Sequence, residues 1–262
     1  MPELPDVEHL TRYFRETSLG QKIMDVACQA PELLRFTDAA AFRARLRGRR
    51  FSRAWRRGKF LIAQVEGLSE KVVLHFGMTG SLRYVPSGEP EDRFCRLAFR
   101  FESGFELRWL CVRKLGKVYL VQEVQDIPLL REMGPEPLAL APLEFLDLLE
   151  RHRNKSIKGF FLDQRSIAGI GNVYGDEILF QAGIHPRRRI ADLSPAARER
   201  LYQVMQQVLQ EATELMAAGQ PFPDSWLLPH RYEGLCPAQE GHGLIREIIA
   251  GRAAIYCPEC QK

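Results

Sequence analysis

Three cysteines and one histidine near the end of the 262-residue chain have the spacing of metal ligands. They read Cys236-x5-His242-x14-Cys257-x2-Cys260. The Cys-x2-Cys pair places two thiolates on one tight turn, and such a ligand set suits tetrahedral Zn²⁺. Because four protein ligands close the coordination sphere, the expected ion is a single structural Zn²⁺. The alternative is that His242 lies free on the surface and that Glu240 or water completes the site.

The second reactive feature is the N-terminal Met1-Pro2-Glu3. A small residue after the initiator methionine favours its removal, which would expose the secondary amine of Pro2. An α-amine has a pKa of about 8, so much of it is neutral and nucleophilic at physiological pH. The carboxyl group of Glu3, one residue from this amine, can reach the same reacting centre. Retained Met1 would block the amine as an amide, and the alternative interpretation is an ordinary frayed terminus.

Basic residues are concentrated in two places, although the net charge is only +4. Residues 43–59 contain nine Arg or Lys and no acid, and residues 187–189 are three consecutive arginines. Such stripes suit a phosphate backbone, and the alternative is a solvated face. Gly169-Ile170-Gly171-Asn172 precedes a helical pattern, so its backbone N–H groups and the helix dipole are expected to face a phosphate.

The elements that must position these residues differ between the two halves of the chain. Residues 22–124 are dominated by short stretches rich in β-branched and aromatic residues, separated by turns such as PSGEPED. A helix over residues 5–19 precedes them, and a helix within RFTDAAAFRARLRG, capped by Thr37 or Asp38, interrupts them. The pattern favours a β-sandwich over alternating βαβ units. The predicted strands are KFLIAQV, KVVLHF, CRLAFRFES, FELRWLCV and KVYLV.

The second half turns helical after a proline-rich connector, GPEPLALAP, near Met133. Helical patterns follow in LEFLDLLERH, SIKGFFLDQ and NVYGDEILFQAG, and the clearest helix starts at Ser194-Pro195 and ends at Gly219. A loop, QPFPDSWLLPH, leads to the tail, where LIREII and AAIY predict a β-hairpin between the ligand pairs. We therefore expect a multidomain α+β fold with boundaries at 1–133, 134–228 and 229–262.

Composition limits the cellular setting. No segment approaches the roughly 20 apolar residues needed to span a bilayer, and the N-terminus lacks the basic and apolar regions of a signal peptide. The protein is therefore expected to be intracellular and not to bind a membrane. The three remaining cysteines, Cys28, Cys95 and Cys111, are expected to be reduced core residues.

Four segments, in this order, resemble the formamidopyrimidine-DNA glycosylase/endonuclease VIII family of bifunctional DNA glycosylases/AP lyases. They are MPELPDVE, RRGKFL followed by HFGMTG, LDQRSIAGIGNVYGDEILF, and the zinc tail GRAAIYCPECQK. The resemblance spans essentially the whole chain. It implies a β-sandwich catalytic domain, a helix–two-turn–helix DNA-binding domain and a β-hairpin zinc finger. It also implies excision of oxidised bases from double-stranded DNA through a Schiff base on Pro2, with strand cleavage by β,δ-elimination.

The resemblance assigns further residues to the DNA. Glu3 would help at the sugar ring as an acid or base. Lys59, Asn172 and Arg252 would bind phosphates at the lesion, and Lys59 and Arg252 would count with Pro2 and Glu3 as catalytic. His75 would be a further DNA-binding residue. A second group would fill the gap that a flipped base leaves in the stack: Met78, Arg113 and Leu115.

Two departures from the family bear on the lesion. The usual DPRRFG segment of the guanine-lesion branch is CVRKLG here, so Leu115 replaces an aromatic wedge while Arg113 is kept. Only seventeen residues separate Ala218 from Cys236, where the 8-oxoguanine branch has a longer segment that covers the flipped base. The shortening favours ring-opened purines or oxidised pyrimidines over 8-oxoguanine, while the N-terminus is more similar to the formamidopyrimidine branch.

Two other functions compete with the enzyme. One is a catalytically silent protein of the same fold that binds damaged DNA; the other is a zinc-ribbon module bound to RNA or the ribosome. Covalent trapping on abasic DNA distinguishes them, since only the enzyme forms an adduct. For the enzyme we expect a monomer that acts on double-stranded DNA with oxidised bases or abasic sites, in a bacterial-type cytoplasm in association with the nucleoid.

Overall fold

The computed structural model describes residues 1–262 and separates into two compact units. The first unit comprises Met1–Pro2 and Asp6–Glu132, and the second comprises Glu3–Pro5 and Met133–Lys262. The change in composition near Met133 falls at the end of the first unit. Residues 3–5, at the start of the first helix, belong to the second unit.

The first unit is built mainly from β-strands. It contains α1 (Leu4–Ser18) from Asp6 onward, β1 (Ile23–Cys28), β2 (Leu34–Arg35), α2 (Ala39–Leu46), β3 (Phe51–Arg57), β4 (Phe60–Val65), β5 (Lys71–His75), β6 (Gly80–Pro86), β7 (Cys95–Phe101), β8 (Phe105–Cys111), β9 (Lys117–Val121) and α3 (Pro128–Arg131). The strands form a four-stranded sheet ordered β1-β7-β8-β6 and a five-stranded sheet ordered β2-β9-β5-β4-β3.

One apolar core is shared by both sheets of this unit. Phe99 and Trp109 enter it from the four-stranded sheet, and Phe51 and Leu74 enter it from the five-stranded sheet. The ring of Phe51 makes edge-to-face contacts with Phe14 of α1 at 5.0 Å and with Phe99 at 5.3 Å. The predicted β-sandwich is therefore confirmed.

All five predicted strands are present, but the sequence pattern missed β1, β2, β3 and β6. Strand β3 lies inside the basic stripe of residues 43–59. Of the residues in this strand, only Phe51 and Ala54 are buried. A bulge between Phe51 and Arg53 breaks the two-residue alternation, so the arginines hide the strand signal. Helix α2 begins after Asp38, whose side chain accepts a hydrogen bond from Ala41 N at 2.8 Å, so Asp38 and not Thr37 is the cap.

The second unit is helical and ends in a hairpin. It contains α4 (Pro142–Arg151), α5 (Ile157–Leu162), α6 (Asn172–Ala182), α7 (Pro195–Ala217), α8 (Leu227–His230), β10 (Ile245–Ile249) and β11 (Arg252–Tyr256). Helix α7 starts at Ser194-Pro195 as predicted, and Ser194 caps it, since its side chain accepts a hydrogen bond from Ala197 N at 3.2 Å. The α+β fold with a helical second half and a terminal hairpin is confirmed.

The segment between α7 and the finger differs from the predicted loop. Its last residues form the short helix α8, with Trp226 and Leu227 buried in the apolar clusters of this unit. Glu177 of α6 accepts hydrogen bonds from Leu227 N at 3.2 Å and Leu228 N at 2.7 Å. The segment is therefore held against α6. No helix in the protein is both long and apolar enough to cross a membrane.

Candidate active site and metal centre

The four predicted metal ligands converge at the base of the β10–β11 hairpin. The ligand atoms of Cys236, His242, Cys257 and Cys260 all lie within 4.8 Å of one another. The Cys236 and Cys260 sulfurs are 3.8 Å apart, and His242 Nδ1 is 3.4 Å from Cys260 Sγ and 3.8 Å from Cys257 Sγ. A tetrahedron with Zn–S bonds of about 2.3 Å has S···S edges of about 3.8 Å, so the donor set fits Zn²⁺.

His242 offers the cluster its Nδ1 atom, because the other ring nitrogen is already engaged. Nε2 lies 3.1 Å from Oε2 of Glu259. A carboxylate on the outer nitrogen fixes the tautomer and the orientation of a metal-binding imidazole. His242 is thus within the cluster and not free on the surface, while Glu240, the alternative ligand, is absent from it.

The hairpin beyond this cluster presents Arg252 to solvent. Ala250 and Gly251 connect β10 to β11 with φ values of 50° and 74°, and Ile249 pairs with Arg252 across the turn. Two consecutive residues with positive φ are the pattern of a type I′ turn, which matches the twist of a hairpin. The Arg252 side chain is exposed and makes no hydrogen bond or ion pair. It is therefore available to an external anion.

The N-terminus of α6 is occupied by a carboxylate from the chain itself. Glu3 Oε2 accepts hydrogen bonds from Gly171 N at 2.7 Å and Tyr174 N at 3.2 Å, and Oε1 accepts one from Val173 N at 2.9 Å. These N–H groups were expected to face a phosphate, and that expectation is wrong. The physical reason is the same attraction of a helix N-terminus for negative charge, satisfied internally by Glu3.

Backbone packing explains why Glu3 reaches this position. Leu4 N donates to Gly169 O at 2.9 Å, and Gly169 has φ +79°, a conformation that favours glycine. A Cβ on Gly169 would lie 2.9 Å from the Cβ of Leu4. The glycine-rich turn therefore allows the N-terminal segment to approach, and this fixes the Glu3 carboxylate one residue after Pro2.

Asn172, the first residue of α6, is tied to the finger. Its Nδ2 donates to the carbonyl of Ala253, next to Arg252, at 2.8 Å. Its Oδ1 is buried and has no hydrogen-bond partner within the protein. One amide hydrogen thus holds β11, and the predicted phosphate contact of Asn172 would use the other.

Basic groups gather at one end of the five-stranded sheet. Lys59 lies in the two-residue turn between β3 and β4, and His75 ends β5, where it pairs with Phe60 on one side and Lys117 on the other. Burial, together with the charges of Lys59 and Lys117, lowers the pKa of His75 from 6.5 to about 4. His75 is therefore a neutral hydrogen-bonding group at pH 7, beside two cations.

The three predicted wedge residues lie on two turns that pack against each other. Met78 is 42% exposed in the β5–β6 turn and Leu115 is 46% exposed in the β8–β9 turn, so both side chains protrude. Arg113 is also exposed, and its backbone N–H donates to Thr79 Oγ1 at 3.2 Å. The first unit thus brings the predicted wedge residues together on one surface.

The basic stripe of residues 43–59 is not a continuous surface for phosphates. Several of its arginines pair with acids or backbone carbonyls of the same unit: Arg43 with Asp25, Arg45 with Glu70, Arg49 with the Gly67 carbonyl, Arg50 with Glu102, and Arg56 with Glu8. Arg53 stacks on the ring of Trp55 at 5.2 Å. The charges of these arginines are therefore paired within the protein, which favours the alternative of a solvated face over a phosphate-binding stripe.

Sequence reasoning missed a buried charge cluster in the second unit. Lys158 and Asp176 are almost completely buried and form an ion pair of 2.5 Å, and Arg231 binds the other oxygen of Asp176 at 2.8 Å. Burial lowers the pKa of Lys158, and Asp176 counteracts that effect. Thr79 and Lys117 were also missed. Charged residues inside apolar stretches, such as Lys158 in SIKGFF, were the one available signal.

Comparison with known proteins agrees with this geometry. The family model described as the formamidopyrimidine-DNA glycosylase N-terminal domain matches residues 1–118, and the one described as the H2TH domain matches residues 133–223. The formamidopyrimidine-DNA glycosylase of Thermus thermophilus is 38% identical over 279 residues, covering 100% of this chain and 98% of the relative. That of Desulforamulus reducens is 34% identical over 279 residues, covering 100% and 99%.

Solved structures show the same fold. Fpg (MutM) from Lactococcus lactis in complex with FAPY-dG containing DNA has a TM-score of 0.85 at 27% identity, with 99% of this chain and 100% of that chain covered. The Lactococcus lactis Fpg complex with abasic site containing DNA has a TM-score of 0.85 at 28% identity, with 99% of each chain covered. The matches extend over both units, and this chain belongs to the formamidopyrimidine-DNA glycosylase family.

Proposed function

We propose that this protein is a base-excision-repair DNA glycosylase with AP lyase activity, and that it removes oxidised bases from double-stranded DNA. The observation that carries the proposal is the fixed position of Glu3. Three backbone N–H groups hold its carboxylate at the start of α6, directly after Pro2 in the chain. A carboxylate held beside an N-terminal amine has the two functions that the reaction needs, an acid/base and a nucleophile.

The proposed reaction begins once Met1 is removed. The Pro2 nitrogen forms a bond to C1′ of the damaged nucleotide, and the bond from C1′ to the base breaks as the base leaves with a proton. Opening of the sugar gives an iminium ion, which acidifies the C2′ proton. Removal of that proton forms a C2′–C3′ double bond and expels the 3′ phosphate, and a second elimination releases the 5′ phosphate. Glu3 serves as the acid/base at the sugar.

The remaining predicted site residues would hold and deform the DNA. Lys59, Asn172 and Arg252 are proposed to bind phosphates, which a cation or an N–H donor can do regardless of sequence. His75 would add a neutral hydrogen bond beside Lys59. Met78, Arg113 and Leu115 are proposed to fill the space left by the flipped nucleotide, with Arg113 toward the unpaired base.

The metal is proposed to be one structural Zn²⁺, which holds the finger together and takes no part in the reaction. All four ligand positions would come from Cys236, His242, Cys257 and Cys260, so no position remains for water or substrate. Bound zinc supplies folding free energy to a hairpin that has little core of its own. It would thereby keep Arg252 at the end of a rigid strand. We place the protein in the cytoplasm, where its DNA lies, as a monomer.

Borohydride trapping tests the proposal against the catalytically silent alternative. A duplex with one abasic site is incubated with the protein and reduced, and the adduct is digested and mapped by mass spectrometry. We expect the adduct on the nitrogen of Pro2. Pro2→Gly should lose most trapping. Pro2→Glu, which retains Met1 and so keeps the nitrogen of residue 2 in an amide bond, should lose all of it. Binding of the duplex without any adduct would identify a silent binder, and normal trapping by Pro2→Glu would exclude Pro2 as the nucleophile.

A further inference from the structure

The buried carboxylate of Asp176 lies at a junction of three parts of the second unit. Its Oδ1 accepts a hydrogen bond from Lys158 Nζ of α5 at 2.5 Å. Its Oδ2 accepts one from Arg231 Nη2 at 2.8 Å and one from the backbone N–H of Ile255 in β11 at 3.2 Å. Asp176 therefore connects α5 and the residue after α8 to the strand that carries Arg252.

Strand β11 is attached to α6 at two points. One is Asp176 Oδ2 to Ile255 N, and the other is Asn172 Nδ2 to the Ala253 carbonyl, so the attachments lie one and three residues after Arg252. Lys158 Nζ also donates to the Asn172 carbonyl at 2.9 Å. The same cluster thus fixes the first turn of α6 and the start of β11, and Arg252 projects from a strand whose backbone has little freedom.

The composition of the cluster is poorly suited to stability alone. Lys158 is 0% exposed, Asp176 is 1% exposed and Arg231 is 8% exposed, so three charges are removed from water. Nε and Nη1 of Arg231 have no hydrogen-bond partner within the protein. Buried ion pairs of this kind are weak sources of stability compared with apolar packing, whereas their directional bonds fix geometry.

We infer that Asp176 is a positioning residue for DNA binding, which holds β11 so that Arg252 meets a phosphate of the bound duplex. The inference rests on the proposed phosphate role of Arg252. Asp176 and Arg231 are too deeply buried to reach DNA themselves. Their effect on the DNA passes through the backbone of β11, and Lys158 holds the other carboxylate oxygen of Asp176.

The test is the salt dependence of binding to a duplex with a tetrahydrofuran abasic-site analogue. Each phosphate contact contributes about 0.9 to the slope of log Kd against log salt concentration. Arg252→Gln should lower the slope by about that amount. Asp176→Asn should lower it equally, because an amide has one acceptor oxygen and cannot hold both Lys158 and Ile255 N. The double variant should show no further decrease, since both changes remove the same contact.

Matched variants separate positioning from general loss of structure. A variant that is only less stable has a smaller active fraction, but its active molecules keep the wild-type slope. Glu150→Gln, which removes an exposed ion pair with Arg198 in the same unit, is the control and should leave the slope unchanged. If Asp176→Asn does not fold by circular dichroism, Arg231→Gln replaces it, because it leaves the Lys158–Asp176 pair in place, and a smaller decrease in slope is expected.

The outcomes distinguish this inference from the proposed function. If Arg252→Gln lowers the slope and the Asp176 or Arg231 variant does not, the positioning role is wrong. If the two decreases add in the double variant, Asp176 acts independently of Arg252 and the inference is also wrong. If Arg252→Gln itself leaves the slope unchanged, Arg252 binds no phosphate, and both the phosphate role and the positioning role are overturned, while trapping on Pro2 still tests the enzyme.

Discussion

The Thr79 hydroxyl accepts a hydrogen bond from the backbone N–H of Arg113 at 3.2 Å, and this bond joins the two turns that carry the proposed wedge. Thr79 follows Met78 in the β5–β6 turn, and Arg113 precedes Leu115 in the β8–β9 turn. Lys114 between them has φ 51°, a strained conformation for a lysine, and its ammonium lies 2.8 Å from Glu32. The position of Arg113 therefore depends on the neighbouring turn.

Removing this acceptor should weaken discrimination of the opposite base. Thr79→Val keeps the shape of the side chain and loses the hydroxyl, so the Arg113 turn gains freedom, and the ratio of excision rates between preferred and disfavoured opposite bases should fall severalfold. Thr79→Ser keeps the acceptor and should keep the ratio. Trapping on single-stranded abasic DNA, which has no opposite base, should be unchanged in both. Equal ratios of excision rates in wild type and Thr79→Val would show that Thr79 does not contribute to discrimination of the opposite base.

The same two turns meet backbone to backbone at Gly77, which has φ +62°. A Cβ at this position would lie 2.6 Å from Gly116 N and 2.6 Å from the Leu115 carbonyl carbon. Gly77→Ala should therefore lower the free energy of unfolding by about 1–3 kcal/mol in urea titrations. Gly88→Ala is the matched control, because a Cβ there meets nothing within 4 Å. Equal stability of the two variants would show that the turns can separate without cost.

The affinity for zinc should depend strongly on His242 and less on Glu259. His242→Ala removes one ligand, and we expect loss of tightly held metal together with loss of DNA affinity. Glu259→Gln leaves all four ligands and weakens only the orientation of the ring, so zinc affinity should fall about 10–100-fold. Metal content by mass spectrometry after dialysis against a chelator measures both. One zinc retained by His242→Ala would show that His242 is not a ligand.

The depressed pKa of His75 predicts a pH dependence of stability. The folded protein keeps this ring neutral down to about pH 4, whereas the unfolded chain protonates it below its usual pKa of 6.5. The unfolded state therefore binds more protons between these values, and the free energy of unfolding falls as the pH falls from 6.5 to 4. Between pH 6.5 and pH 4, the free energy of unfolding should fall by up to about 3 kcal/mol less in His75→Gln than in the wild type, since one pKa unit corresponds to about 1.4 kcal/mol.

Denaturant titrations at pH 4 and pH 7 measure that difference. His230→Gln is the control, because its hydrogen bond to Glu233 raises the pKa of His230. The pKa shift of His230 has the opposite sign to that of His75. Its contribution to the free energy of unfolding is therefore present at low pH and is lost as the pH rises through the pKa of the folded state. An equal pH dependence in wild type and His75→Gln would contradict the depressed pKa.

Local signals in the sequence were sufficient for most elements and for the metal ligands. The Ser194-Pro195 start of α7 depends on its own capping geometry, and Cys-x2-Cys depends on a single turn. The role of Glu3 at the N-terminus of α6 could not be read in the same way. That contact joins residues about 170 positions apart, and the glycine-rich turn carries the same pattern whether the anion is a phosphate or a carboxylate.

The expected lesion preference depends on the segment between Ala218 and Cys236. Trp226 and Leu227 are buried in the core of the second unit, and Glu177 holds the backbone N–H groups of Leu227 and Leu228. These residues are therefore not available to fold over an extruded base. Base selectivity depends on what surrounds the flipped base.

Without such a cover, a lesion whose glycosidic bond is already weak should be favoured. We expect faster excision of formamidopyrimidines or oxidised pyrimidines than of 8-oxoguanine, and efficient cleavage of abasic sites. Single-turnover rates from duplexes that differ only in the lesion measure the preference. Glu177→Gln keeps an acceptor oxygen for one of the two N–H groups and should change these ratios little, because the segment stays packed through Trp226. Removal of 8-oxoguanine opposite cytosine as fast as formamidopyrimidine-guanine would show that the short segment does not set the preference.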